Sequence, residues 1–334
     1  MELDLDDLAR PLPDERARVE ALAFDRSGRW LAAVAFGTLV VYDLRDGTRH
    51  AEVPLPSGRG VRSLAFSPDG RRAVVALAHD ARPGDPSALA VVDLAASSIA
   101  RLLPDESHRE ALREVTRLRE SLTAWALTPS GESVVTAWGR AGLAAFPLDG
   151  SGCERKPAPF TSDDASAEVV ALAFAGATLA CQTTEGLARD AGGAWRSVAK
   201  DSFGRGLLAP VDDGERVVVA GHAPRRLGQV ARSGAWVVRL ADGATNFDGV
   251  RAEGMAPVGA SHRGWRVWWA RPVERFATRF TPLALHCHDV AAGTFARRVA
   301  DAKKAASTCA AVDPAGERVA FGRVRSVGVF ELAP

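Results

Sequence analysis

Between Val61 and Leu77 the chain reads VRSLAF-SPDG-RRAVVAL, two short apolar segments on either side of a four-residue turn. The turn has a mechanism. Ser67 at its first position can accept a hydrogen bond from nearby backbone, and Pro68 presets φ for a type I turn. Gly70 at the fourth position tolerates the left-handed conformation in which the chain reverses. Flanks rich in Val, Ala, Leu and Phe, bounded by Gly and Asp, have strand chemistry. The segment is a β-hairpin by this reading.

The pattern recurs as VEALAF-DRSG-RWLAAVA from Val19, LTAWAL-TPSG-ESVVTAW from Leu122, GLLAP-VDDG-ERVVVAG from Gly206 and TCAAV-DPAG-ERVAFGR from Thr308. A degenerate copy, VVALAF-AGA-TLACQT, starts at Val169. A third β-rich segment follows each pair, as in LVVYDLRDGT from Leu39 and LAVVDLAASS from Leu89. A further reversal then leads to an outer strand such as Thr48–Val53, Ser98–Leu103 or Thr294–Ala300. Anchored on the third strand, at Asp43, Asp93, Pro147, about Asp190, Arg239, Asp289 and Glu331, the chain divides into seven units spaced about 42 to 54 residues apart. That is the period of a four-stranded propeller blade.

The SPDG-type turns and this period resemble bacterial seven-bladed β-propellers of the WD-repeat and YVTN-repeat kind across nearly the whole chain. The resemblance implies an all-β fold in a single domain, residues 1–334, of four-stranded antiparallel blades. The competing readings are six or eight blades, or two stacked β-sandwiches. One departure stands out. There is no Gly-His dipeptide, and the Trp-Asp signature survives only as Tyr42-Asp43 and His288-Asp289. Packing must then come mainly from apolar strands.

The last unit ends on its third strand at Leu332, which would leave a sheet edge unpaired, a hazard proteins normally cover. Near the start, ELDLDDL alternates apolar and acidic residues as a half-exposed strand should. The expectation is that Leu3–Leu8 pairs with the final blade as its outer strand, the alternative being a disordered acidic tail. Between units two and three, Pro104–Ser121 predicts a short helix near 105–120. Asp105 or Ser107 would cap it, and Leu112, Val115, Leu118 and Leu122 would form its apolar face.

In a four-stranded meander the first and third turns share one end of the sheet, and the second turn shares the other end with the link to the next blade. Here the first and third turns are uniformly tight. The second connection is long at 79–87, 222–234 and 271–282. Loops on a rigid scaffold are where function concentrates. The long-loop end collects Arg82, Arg140, Arg225, Arg226, Arg232, Arg271, Arg275 and Arg279, whose guanidinium groups suit carboxylate or phosphate. Trp138 is a candidate aromatic anchor there. Arginine is plentiful throughout, however: only four of the 42 basic residues are lysine. Ordinary solvation therefore competes with a specific anionic surface.

No catalytic set assembles from the sequence. There is no GxSxG elbow, Walker A loop, HExxH helix or GxGxxG followed by a helix. His286 and His288 share a strand face, but Cys287 and Asp289 point the other way and two ligands do not close a zinc site. Cys153, Cys181, Cys287 and Cys309 lack CxxC spacing and are expected to be free thiols, mostly buried. Trp268 and Trp269 must face opposite sides of one strand and pack between blades. A net charge of +1 gives no electrostatic reason to expect nucleic acid or a charged membrane. No apolar run is long enough for a membrane helix, and no secretory signal is visible.

The function expected is a non-catalytic interaction scaffold without cofactor or metal. It would be cytoplasmic and a monomeric ring, binding a protein or peptide of acidic character through the arginine-bearing face. The alternative comes from a second resemblance: seven-bladed bacterial lactonases share the SPDG-like repeat. They would imply acid/base residues on the innermost strands, where Glu20 and Arg62 are the charged candidates.

Overall fold

The computed structural model describes residues 1–5, 18–56, 60–78, 88–108, 110, 112, 121–139, 142–156, 159, 168–199, 207–211, 214–222, 233–244, 256–260, 266–272, 283–290, 292, 294–300, 309–323 and 325–332. Strand β1 (Glu2–Asp4) is followed by sheet one: β2 (Val19–Phe24), β3 (Trp30–Ala35), β4 (Thr38–Asp43) and β5 (Thr48–Pro54). Sheet two is β6 (Val61–Phe66), β7 (Arg72–Leu77), β8 (Leu89–Asp93) and β9 (Ser98–Leu103). Sheet three is β10 (Leu122–Leu127), β11 (Ser133–Trp138), β12 (Leu143–Pro147) and β13 (Glu154–Lys156). Sheet four is β14 (Val169–Ala175), β15 (Thr178–Thr183), β16 (Leu187–Asp190) and β17 (Trp195–Ala199). Sheet five shows β18 (Leu207–Pro210), β19 (Arg216–His222) and β20 (Ser233–Arg239) among the described residues. Sheet six is β21 (Ala256–Ala260), β22 (Arg266–Pro272), β23 (Leu283–Asp289) and β24 (Thr294–Ala300). Sheet seven is completed by β25 (Cys309–Val312), β26 (Arg318–Gly322) and β27 (Ser326–Glu331).

These are the seven blades of an all-β propeller, each a meander of strands paired in chain order except that β1 pairs with β27 in sheet seven. The third strands end at Asp43, Asp93, Pro147, Asp190, Arg239, Asp289 and Glu331, the residues on which the repeat was anchored.

Burial explains the composition of each strand. The two middle strands of a blade are covered on both faces, so β3 (WLAAVA) and β4 (TLVVYD) are buried from their second residue onward. Outer strands meet a neighbour on one face only. In β5 (TRHAEVP), Ala51 and Val53 are buried while Thr48, His50, Glu52 and Pro54 are exposed. Small and branched residues dominate the interfaces. Sheets one and two share a core of Val34, Val41, Val53, Leu64, Val75 and Val92, and sheets four and five share Ala173, Leu208, Val217, Val219 and Val238.

The chain divides into two compact units, 1–103 with 270–286 and 297–334, and 104–269 with 287–296. In the first, β25, β2 and β6 lie side by side in that order. In the second, β10, β14, β18 and β21 do the same. Within each unit the first strands of successive blades are therefore neighbours.

Sheet seven takes its fourth strand from the beginning of the chain, in the order β1-β27-β26-β25. The register is antiparallel, with Glu2 opposite Gly328, Leu3 opposite Val327 and Asp4 opposite Ser326. Leu5 N–H extends the ladder to Arg325 O at 3.0 Å. Leu3 and Leu5 are 3% and 0% exposed and join a core with Tyr42, Leu44, Val327 and Val329. Arg323 donates to Glu2 Oε1 at 3.1 Å, and Ser326 Oγ donates to the same oxygen at 3.2 Å. From sheet one, Tyr42 Oη and Arg49 Nη2 donate to Asp4 O at 2.9 and 2.8 Å. The expected pairing holds at Leu3–Leu5; residues 6–8 lie outside the described residues.

Of the helix expected near 105–120, only the beginning falls within the described residues, and it is helical: Leu112 N–H donates to His108 O at 3.1 Å, and residues 113–120 lie outside the described residues. A single 3-10 turn spans Glu106–His108, with Ser107 N–H on Asp105 Oδ1 at 2.9 Å. His108, 2% exposed, takes Asp105 N–H on Nδ1 at 3.1 Å and faces Gly152 O through Nε2 at 2.9 Å. Leu112 is buried, but Leu122 opens β10 and belongs to no helix face. Val115 and Leu118 lie outside the described residues.

Candidate interaction surface

The two ends of each blade differ in kind. At the end carrying the first and third turns, one geometry repeats. The glycine N–H of each first turn donates three residues back: Gly28 to Asp25 O, Gly70 to Ser67 O, Gly131 to Thr128 O, Gly214 to Val211 O and Gly316 to Asp313 O, all within 2.9–3.1 Å. These glycines hold φ between +68° and +73°, the left-handed conformation the sequence demanded. The first residue adds a side-chain cap five residues ahead. Asp25 Oδ1 accepts from Trp30 N–H at 2.7 Å, Ser67 Oγ from Arg72 N–H at 2.9 Å, Thr128 Oγ1 from Ser133 N–H at 3.1 Å and Asp313 Oδ1 from Arg318 N–H at 2.9 Å.

The third turns are closed by the acid that ends the third strand. Asp43, Asp93, Asp190 and Asp289 accept the backbone N–H of Arg45, Ala96, Gly193 and Ala292 at 2.7–3.0 Å. The Asp of the vestigial Trp-Asp pair thus serves its own turn. Asp43 also receives Arg29 through Nε at 3.0 Å and Nη2 at 2.5 Å. The Arg29 hydrogen bond, followed by that of Arg45 N–H, holds the Asp43 carboxyl below the usual carboxylate range. Asp69 is lowered first by the Ser67 hydroxyl, and Asp46 first by the Thr48 hydroxyl. Turns saturated this way leave few backbone groups for a partner.

The opposite end is not uniform. Second-to-third connections are short at 36–37, 139–142, 184–186 and 323–325, and extended at 78–88, 223–232 and 273–282. Here too the first strands begin, and four of them carry a β-bulge at their second residue: Glu20, Arg62, Thr123 and Val170. Bulges re-aim side chains and are concentrated next to functional rims. Sequence reading named Glu20 and Arg62 but missed the bulges. The signal was available: position two of these strands is polar in VEALAF, VRSLAF and LTAWAL, against the apolar run around it.

Of the residues expected at this end, Trp138 is corrected. Its side chain is 2% exposed, and its indole N–H donates to Thr136 Oγ1 at 2.8 Å, so it is a core residue and not a surface anchor. It ends a middle strand, covered on both faces. Arg271 lies on β22. Arg82, Arg140, Arg225, Arg226, Arg232, Arg275 and Arg279 lie outside the described residues. Glu20 Oε2 accepts Val61 N–H at 2.8 Å and so ties β2 to β6, while Arg62 is exposed.

The remaining candidates are accounted for by packing. Cys287 and His288 are 1% and 6% exposed, and burial pushes the His288 imidazole below its usual range. Among the described residues no group of three His, Cys, Asp or Glu is placed to hold a metal. Trp268 and Trp269 are both buried, as expected for neighbours facing opposite sides of β22. Cys181 and Cys287 are buried free thiols, whereas Cys153 and Cys309 are half-buried. Among the described residues no helix is long and apolar enough to cross a membrane.

No protein-family description matches the sequence and no curated protein aligns with it. The architecture is nonetheless familiar. The chain is similar to the β-propeller domain of Cps50 (Swd1) from Myceliophteria thermophila, with a TM-score of 0.66 and 14% identity over 95% of this chain and 96% of that one. The fold is a β-propeller. At that identity the likeness speaks for the fold alone.

Proposed function

We propose that this propeller is a non-catalytic scaffold that binds an acidic protein or peptide at the end where the second-to-third connections extend. One observation carries the reading: the turn-bearing end is closed by repeated hydrogen-bonded caps, whereas variable connections and bulged strand starts occupy the other. The arginines of those connections, Arg82, Arg140, Arg225, Arg226, Arg232, Arg275 and Arg279, together with Arg271, supply charge-assisted donors for carboxylates. Rim charges of this kind steer encounter and select partners more than they add affinity. The propeller belongs by this reading to the bacterial WD- and YVTN-repeat kind and works in the cytoplasm as a monomer.

A hydrolase reading gains no support from Glu20, whose carboxylate is engaged with Val61 N–H. The test is combined reversal of Arg225, Arg226, Arg275 and Arg279 to Glu, followed by affinity purification from the source cell. The expected result is loss of the co-purifying partner with an unchanged melting temperature. Retention of that partner by the reversed protein, or no specific partner with the natural sequence, would overturn the proposal.

A further inference from the structure

A pocket of about 330 Å³ opens at the turn-bearing end of sheet seven, lined by Met1, Leu44, Arg318, Val329, Phe330 and Glu331. Its floor is apolar, with Leu44 and Val329 at 8% and 6% exposure. Met1, 55% exposed, is the one exposed large hydrophobic side chain among the described residues. Its rim carries the opposite charges of Arg318 and Glu331, and the Met1 ammonium, which donates to Val329 O at 2.9 Å, lies beside them. Arg318 and Glu331 stand directly across from each other on β26 and β27, so both side chains leave the same face of the sheet. Val329, two residues along from Glu331, shares that face. Among the described residues neither the Arg318 guanidinium nor the Glu331 carboxylate has a hydrogen-bond or ion-pair partner.

An apolar floor beneath a guanidinium and a carboxylate that do not pair is complementary to one chemistry: a zwitterionic head on an apolar body. We propose that this pocket binds a free apolar α-amino acid. The α-carboxylate is received by the fork of Arg318, the α-ammonium by Glu331, and the side chain by Met1, Leu44 and Val329. The volume suits so small a ligand, since it falls at the low end of the range for small-molecule sites. Methionine is the adaptable wall that tolerates side chains of differing shape. The site lies at the end of the blade opposite the extended connections and stands independently of the scaffold reading.

Calorimetric titration of the full chain with L-leucine, leucinamide and N-acetyl-leucine tests it. Leucine should bind saturably. The amide lacks the carboxylate and the acetyl derivative lacks the ammonium, and each should bind at least about tenfold more weakly, as expected for losing a charge-assisted hydrogen bond. Arg318→Gln and Glu331→Gln should each weaken leucine by a similar factor. The ligand series needs no variant, so it decides the matter even if a substitution perturbs the fold. No saturable heat with leucine, equal binding of N-acetyl-leucine, or indifference to Arg318→Gln would overturn the proposal.

Discussion

Leu5→Ala tests how the chain beginning is held. Leu5 is 0% exposed and packs with Leu3, Tyr42, Leu44, Val327 and Val329. Its N–H also makes the last ladder bond of β1, to Arg325 O at 3.0 Å. Truncating a fully buried leucine removes its transfer free energy and leaves a cavity, together about 2–5 kcal/mol. At roughly 2 °C per kcal/mol for a chain at or beyond the upper end of the calibrated sizes, the melting midpoint should fall by about 4–10 °C. Differential scanning calorimetry measures this, with Arg45→Ala as control. Arg45 is an exposed turn residue, and loss of its side chain should stay within about 0.5 kcal/mol. Hydrogen exchange gives a second view. The Val329 amide, bonded to Met1 O at 2.8 Å, should lose protection in Leu5→Ala before amides at the centre of β26 do. If Leu5→Ala melts with the control and Val329 stays protected, β1 does not close sheet seven in solution, and the account of the termini is wrong.

Gly70→Ala isolates backbone strain, because φ is +69° and a methyl there meets nothing within 4 Å. It should cost about 1–2 kcal/mol, read as a lower denaturant midpoint at unchanged slope. Acid should destabilise the turn-bearing end. The folded carboxyls of Asp43, Asp46, Asp69 and Asp242 all lie below their usual value. Their contribution is therefore fully present above the unfolded pKa of about 3.9 and drains away as pH falls through the lower folded values. Melting temperature against pH should accordingly drop below about pH 4, and less steeply in Asp43→Asn. Burial alone raises the Cys181 thiol far above its usual range. Cys181 should resist iodoacetamide at pH 8 in the native protein and react fully once unfolded, as mass spectrometry of the labelled peptides would show.

The blade repeat was legible in the sequence because its signals are local. A turn such as Asp25–Gly28 is specified by a side-chain acceptor, a left-handed glycine and an N–H five residues on, all within one short segment. For the same reason the ends of the third strands, from Asp43 to Glu331, could be placed by counting from one turn to the next. The pairing of β1 with β27 was legible too, since ELD alternates and the repeat leaves the seventh unit one strand short. Tertiary structure decided the rest. Trp138 looks like a surface aromatic in a loop-bearing region, yet Thr136 and the covering of β11 on both faces draw it into the core. The segment after Pro104 has helical spacing and begins as a 3-10 turn capped by Asp105, but that its His108 is buried against Gly152 O, 44 residues on, could not be read from that spacing. The pocket beneath Arg318 and Glu331 depends on Leu44, just after β4, and on Met1, just before β1, residues hundreds of positions away in the chain. Local turn chemistry acts over a handful of residues and can be read from them; burial and juxtaposition are set by neighbours the chain brings back from far along its length, and no window of sequence contains them.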